Sequence, residues 1–172
     1  RLPAGGSDLS NPPLCTPPPV PSPPGAGGVL GPPTTVSANG CRILTGSWFS
    51  PYDATTWTSA SRLDIDHMVP LKEAWLSGAS SWSADRRKSF ANDMGWKGSL
   101  IAVSASSNRS KGDKDPARWM PPNTSYWCTY LFDWVDVKYR WSLSVDPTEK
   151  QAISKDLASC PDDGFALAPL AP

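Results

Sequence analysis

Every tryptophan, tyrosine and phenylalanine of this 172-residue chain lies beyond residue 47. Aromatic side chains bring most of the buried area of a small core, so their absence decides where a core cannot form. Residues 1–35 instead hold 11 of the 20 prolines and 6 of the 13 glycines. Such a stretch buries too little apolar surface to offset its ordering entropy. It reads as a disordered or polyproline-type leader over residues 1–38. One modest domain is expected over 39–160, followed by a flexible tail over 161–172.

Four cysteines, Cys15, Cys41, Cys128 and Cys160, show no CxxC spacing, and the single histidine argues against a Cys/His zinc cluster. An even count in a small Trp-rich chain suits two disulfides in an oxidising compartment. Of the three possible pairings, Cys128–Cys160 with Cys15–Cys41 is preferred. No apolar run approaches a membrane span and no signal peptide stands at the start, so a mature secreted protein with no membrane partner is expected. Nothing points to an obligate protein partner or sets an oligomeric state.

The formal net charge is zero, which by itself is a poor match to a polyanion. Its distribution is uneven: residues 62–118 carry ten Lys/Arg against seven Asp/Glu, and residues 119–172 four against seven. The middle of the chain is therefore the part compatible with an anionic substrate.

Local patterns predict an α+β chain of short strands and four or five short helices. Arg42–Trp48 reads as a strand and Ser50-Pro-Tyr-Asp53 as a turn. Arg62–Met68 alternates, with Leu63, Ile65 and His67 on one face and Asp64, Asp66 and Met68 on the other. Pro70 opens a helix that Gly78 stops, and Ser83 caps a second helix to about Asn92. Ser99–Val103 reads as a buried strand, Ser104–Asp115 as a polar loop, and Pro116 as the start of a short helix. An aromatic helix runs from Thr124 or Ser125 to about Lys138, with Cys128, Leu131 and Val135 on one face. Asp146-Pro-Thr-Glu149 is a capping box opening a last helix, in which Ile153, Leu157 and Cys160 recur at helical spacing. If both of these helices form, Cys128 and Cys160 would staple them.

Chemistry concentrates in Asp64-Ile-Asp66-His67 and in Asn108-Arg109-Ser-Lys111-Gly-Asp-Lys-Asp115. Carboxylate and amide oxygens suit a hard cation such as Mg²⁺ or Ca²⁺. An imidazole on the opposite side of the strand from the carboxylates suits proton acceptance from water rather than the same cation. With a basic loop nearby, these are the parts of a phosphodiester hydrolase. Each also has a plain structural use: a salt-bridged histidine, a solvated strand face, a charged turn. Arg86-Arg87-Lys88 reads as an exposed helix surface, and Trp119, Trp127, Trp134 and Trp141 as core. A glycan hydrolase would need two carboxyls facing across a cleft, which Asp64 and Asp66 on one strand face do not provide.

At these residues the chain resembles the secreted HNH-family endonucleases of bacteria and fungi, a branch of the ββα-metal nucleases. The stretches that carry the resemblance are Thr45–Asp53, Asp64–Trp75, Phe90–Asp93, Leu100–Val103, Asn108–Pro116, Trp119–Pro122 and Cys128 through Cys160. They run in order over roughly residues 40–160. The resemblance implies a ββα-metal (HNH-like) core with additional Trp-rich helices, disulfide-stapled. It makes His67 the general base. Asp66 and Asn108 become the protein ligands of one divalent cation, Mg²⁺, with Mn²⁺ or Ca²⁺ as substitutes. Lys111 and Arg109 are implied at the phosphate, and Asp64 behind the cation site. Where HNH motifs carry a middle asparagine, this chain has Ser99, which leaves a neighbouring backbone carbonyl to orient the His67 ring. The amino-terminal segment that relatives carry, with its own cysteine and arginine, is replaced here by the Pro/Gly-rich lead. The implied activity is metal-dependent cleavage of DNA, with RNA as a second substrate and little sequence specificity. The alternative is a non-catalytic secreted module that binds polyanions or a cell surface.

Overall fold

A computed structural model describes residues 35–36, 43–161 and 167–171. Most of the leader, and with it Cys15 and Cys41, lies outside the described residues. Strands β1 (Thr35–Val36), β2 (Ile43–Ser50) and β3 (Thr55–Ser59) form an antiparallel sheet in that order. The pair β1–β2 thus brings two residues of the expected leader into a sheet. Strands β4 (Leu63–His67) and β5 (Leu100–Ser104) form a second antiparallel pair, in register from Leu63↔Ser104 to His67↔Leu100. The sheets are tied where the Ser104 N–H donates to Ser50 Oγ at 2.9 Å.

Among the described residues five α-helices complete the α+β fold. Helix α1 (Leu71–Leu76) follows Pro70 and ends before Gly78, whose φ of 125° only glycine adopts without strain. Helix α2 (Ala84–Ala91) is capped by Ser83, whose hydroxyl accepts the Arg86 N–H. Helix α3 (Ala105–Lys111) occupies the stretch expected as a loop. It lacks an apolar stripe because its inner side is polar: Ser107, Asn108 and Lys111 bond to Asp53, Asp64 and Asp66. Hydrophobic periodicity cannot register such a helix. Pro116 opens only a turn, in which the Arg118 and Trp119 N–H groups share the Asp115 carbonyl. Helix α4 (Trp127–Arg140) leads to α5 (Pro147–Leu157), which has the full capping box of Asp146 and Glu149.

The core face of α4 carries Tyr130, Leu131, Trp134 and Val137, and Trp141 follows just after its end, all essentially inaccessible. That face is rotated from the expected one. Cys128 looks toward α5 instead, where it bonds to Cys160 with the Cα atoms 5.6 Å apart. The expected flexible tail is, over residues 167–171, docked on α4. The Ala168 N–H meets Asp136, the Ala171 N–H meets the Arg140 carbonyl, and Arg140 Nη1 donates to the Pro169 carbonyl. Backbone donors and acceptors on both sides account for that docking.

Two buried ionic hubs knit the layers. Arg140 makes two bonds to Asp93, at 2.8 and 3.0 Å, and Asp93 also accepts from Ser99, Trp141 and the Gly95 N–H. The Lys138 ammonium is surrounded by Glu73, Ser77, the Ser144 carbonyl and Glu149, all within 3.0 Å. Ser99, at the place of the middle asparagine, therefore faces Asp93 and not the histidine.

Two outcomes follow from this packing. Opening Cys128–Cys160 by Cys→Ser substitution releases a closed loop with a sequence separation of 32 residues. Chain entropy then predicts a loss of about 4 kcal/mol, read by urea unfolding. Asp93→Asn leaves Arg140 buried without a counter-charge, which typically costs about 3–5 kcal/mol. The desolvation Asp93 suffers is outweighed by its bonds to Arg140, Trp141 and Ser99, which hold its carboxyl at about 2. This is below the unfolded value, so its contribution is present above pH ~4 and is lost as pH falls toward 2. The wild type should show that acid-side decline in denaturation midpoints, and the Asn variant should lack this component.

Candidate functional site

Strand β4 presents its carboxylates and its histidine in opposite directions, as period-two alternation requires. Asp64 and Asp66 face α3, and His67 faces the end of α2. On the α3 side the contacts form two rungs. In the first, Asn108 Nδ2 donates to Asp64 Oδ2 at 3.2 Å, with Arg109 Nε 3.7 Å from the same oxygen. In the second, Lys111 Nζ meets Asp66 Oδ2 at 2.5 Å, and the Tyr52 hydroxyl donates to that oxygen at 2.6 Å. Asn108 and Lys111 are one helical turn apart and Asp64 and Asp66 two strand residues apart, so the rungs match in spacing.

The second rung corrects the expectation for Lys111. Its side chain is 0% exposed, so it cannot reach a substrate phosphate. All three of its N–H donors are used, on Asp66 Oδ2, the His67 carbonyl at 2.8 Å and the Met68 carbonyl at 2.9 Å. The rings of Tyr52, Tyr130 and Trp134 lie 5.8–5.9 Å from the ammonium. Burial pushes the Asp66 carboxyl above the usual carboxylate range and pulls the Lys111 amine below its own, with their mutual attraction opposing both. Lys111 therefore clamps the backbone on which His67 sits.

Asn108 is likewise found with Asp64 and not bonded to Asp66. Both bonds to Asp66 end on Oδ2 and leave Oδ1 outside them. Among the described residues no group of three or more His, Cys, Asp or Glu side chains could hold a metal ion. A hard octahedral cation needs less: one or two carboxylates with several waters. Half a turn of the Asn108 amide puts its oxygen next to Asp64 Oδ2 at about the present contact distance. Adjacent ligands of an octahedral Mg²⁺ at ~2.1 Å are about 3 Å apart. Asp64 and Asn108 thus fit such an ion in chemistry and spacing, and Asp66 Oδ1 belongs to the next residue on that strand face.

His67 is half-buried on the other face, where Nε2 lies 2.9 Å from the Ala91 carbonyl, at the last residue of α2. A carbonyl can only accept, so Nε2 carries the proton and the neutral ring keeps its lone pair on Nδ1. This is the ring-orienting carbonyl, supplied from 24 residues along the chain. The sequence signal for it was Phe90-Ala-Asn-Asp93, recognised only as a family stretch.

Three residues of this region were missed by sequence reasoning. Tyr52 is fully buried and completes the Asp66 rung. Trp57, on the unrecognised strand β3, donates its indole N–H to Ser104 Oγ at 2.6 Å, and the Arg62 guanidinium lies 4.6 Å from its ring centre. The basic triplet was expected as an exposed helix surface, but only Lys88 is exposed: Arg86 is half-buried near Trp82 and Trp141, and Arg87 near Trp75.

Residues 35–156 match the family model of GmrSD restriction endonucleases, C-terminal domain. An uncharacterized secreted protein of Arthroderma benhamiae is 52% identical over 128 residues, which cover 74% of this chain and 62% of that protein. The matched part of the chain thus spans less than two thirds of that relative's length. No solved structure gives a significant match. No helix among the described residues is long and apolar enough to cross a membrane.

The Ala91 contact makes a direct expectation for nitrogen NMR. The neutral His67 ring should appear as the Nε2–H tautomer, with Nδ1 in the unprotonated range. Finding the proton on Nδ1 would remove the ring from the Ala91 carbonyl.

Proposed function

The chain belongs to the family of GmrSD restriction endonuclease C-terminal domains, and from that premise we propose that it is a secreted, metal-dependent endonuclease. It hydrolyses phosphodiester bonds of DNA, with RNA as a second substrate, and has little sequence specificity. The single observation that carries this reading is the His67–Ala91 bond, which leaves Nδ1 as a lone-pair acceptor at the end of the strand that also bears the Asp64–Asn108 pair. Secretion is supported by the Arthroderma benhamiae relative and by the Cys128–Cys160 disulfide.

In this reading β4, β5 and α3 are the ββα-metal unit. His67 Nδ1 takes the proton of the attacking water while Nε2–H stays on Ala91, so the ring does not rotate as it charges. Asn108 and Asp64 would hold one divalent cation, Mg²⁺ or in its place Mn²⁺ or Ca²⁺, with Asp66 Oδ1 the further oxygen available on that strand face. When bound, that ion supplies positive charge for the oxygen that leaves. Arg109, with its side chain 76% exposed beside Asp64, reaches the phosphate. Lys111 holds the His67 carbonyl and so sets where the base stands. In-line displacement places the entering and leaving oxygens on opposite sides of phosphorus, which suits a base and a cation site on opposite faces of one strand. Contacts to phosphate without base-edge readout carry no sequence information.

The test is cutting of plasmid DNA with Mg²⁺ and with chelator, paired with calorimetry of Mg²⁺ binding. Wild type should cut only with the metal. His67→Ala should lose on the order of 10²–10⁴ in rate while keeping the heat of metal binding. Asn108→Ala and Asp64→Asn should lose both. Undiminished cutting by His67→Ala would remove the assignment of the base. Absence of both cutting and metal heat in the wild type would favour the polyanion-binding module instead.

A further inference from the structure

Beside the Asp64–Asn108 rung lies a polar hollow of about 210 Å³ lined by Trp57, Ser61, Arg62, Ala105, Ser106 and Arg109. Its volume is below the ~300–1,000 Å³ of sites for drug-sized ligands, so it suits a small group. Two guanidinium groups and two hydroxyls line it, and no carboxylate does. Among the described residues Arg62 has no ion-pair partner. The charge is held in place by stacking on Trp57, and that indole is in turn anchored by its bond to buried Ser104. Arg109 belongs both to this hollow and, through Asp64, to the first rung.

An exposed arginine held by an aromatic face, with its donors open, is prepared for an oxyanion. Guanidinium donors match phosphate geometry, and stacking lowers the side-chain entropy lost when they engage. We propose that this hollow binds a second, non-scissile phosphodiester group of the nucleic-acid strand. Arg62 is its principal ligand, Trp57 the residue that positions Arg62, and Arg109 the bridge between this phosphate and the one being cut. The proposal rests on the nuclease reading for its choice of polyanion. It goes beyond that reading by making strand binding depend on Arg62, which lies outside the carboxylate, amide and imidazole set. Spacing the two phosphates along one backbone would fix the register of the strand without reading a base.

The experiment is fluorescence anisotropy of a labelled DNA duplex over a salt series, in chelator and on the His67→Ala background, so that no cutting intervenes. Arg62→Gln should weaken binding about 5–10-fold at low salt and reduce the slope of log K against log salt by about one. Trp57→Leu, checked for an unchanged melting temperature, should give a smaller loss of the same kind. Lys155→Gln on α5, an exposed cation away from the hollow, makes the same change in net charge and should leave both quantities unchanged. At matched ionic strength, inorganic phosphate should displace the duplex no better than chloride. In cutting assays Arg62→Gln should raise KM.

Equal affinity and salt slope for Arg62→Gln and Lys155→Gln would overturn the proposal, as would Arg62-dependent displacement by inorganic phosphate, which would mark a free-anion site. These outcomes are separable from failure of the nuclease reading. A wild type that binds DNA through Arg62 but never cuts would keep this site and lose the activity.

Discussion

The Lys111 ammonium is the point on which this architecture turns. A cation with no exposed surface survives only if each donor has an acceptor and a counter-charge stands beside it. Here one carboxylate and two consecutive backbone carbonyls meet those conditions, inside a box of three aromatic rings. The consequence is geometric. The carbonyls of His67 and Met68 mark the end of β4, so the clamp fixes where that strand stops and α3 lies against it. Removing the ammonium would leave Asp66 and two carbonyls unpaired in a low-dielectric interior, the costly half of the asymmetry between making and breaking buried pairs. His67 and the Asp64–Asn108 pair therefore inherit their relative positions from a residue with no exposed surface.

The same economy appears in the other two hubs. Arg140–Asp93 fastens the α4 end to the segment after α2, and the Ala91 carbonyl that orients His67 lies two residues before Asp93. The lysine hub at Lys138 joins α1, α4 and α5 through Glu73 and Glu149. Around His67 and Asp64 the elements are short, five residues in each of β4 and β5 and seven in α3, so few ladder bonds hold register there. Directional buried ion pairs supply orientation that apolar contacts, being non-directional, do not.

Much of this was legible from residues, and the misses have a common cause. Alternation placed Asp64 and Asp66 opposite His67, and the caps at Ser83 and Asp146 marked two helix starts, because these signals depend on neighbours in sequence. The cysteine staple between α4 and α5 was readable for the same reason. Helix α3 was not, since its buried side is made of Ser107, Asn108 and Lys111, whose partners lie on distant elements. Lys111 looked like a phosphate ligand because a lysine in a polar, charged stretch is ordinarily exposed. Nothing local could reveal that Tyr52 and Tyr130, from two other elements, close over it. The Ala91 carbonyl was equally hidden: a backbone acceptor has no residue identity to read.

Burial also changes what the net charge means. Among the described residues three cations and six carboxylates are buried, while the whole chain is formally neutral. The described residues that are not buried hold 11 Lys/Arg against 7 Asp/Glu, a formal charge of +4, and that part is what a ligand meets. Arg62 and Arg109 belong to it, lining one hollow next to Asp64, a carboxylate that Asn108 already engages. Neutrality counted over the sequence hides a separation by depth, with acidic excess inside and basic excess outside. With so small a net excess, attraction of a polyanion would be local. It should depend on individual arginines more than on a broad field, and it should be sensitive to salt in steps of about one counterion per arginine removed.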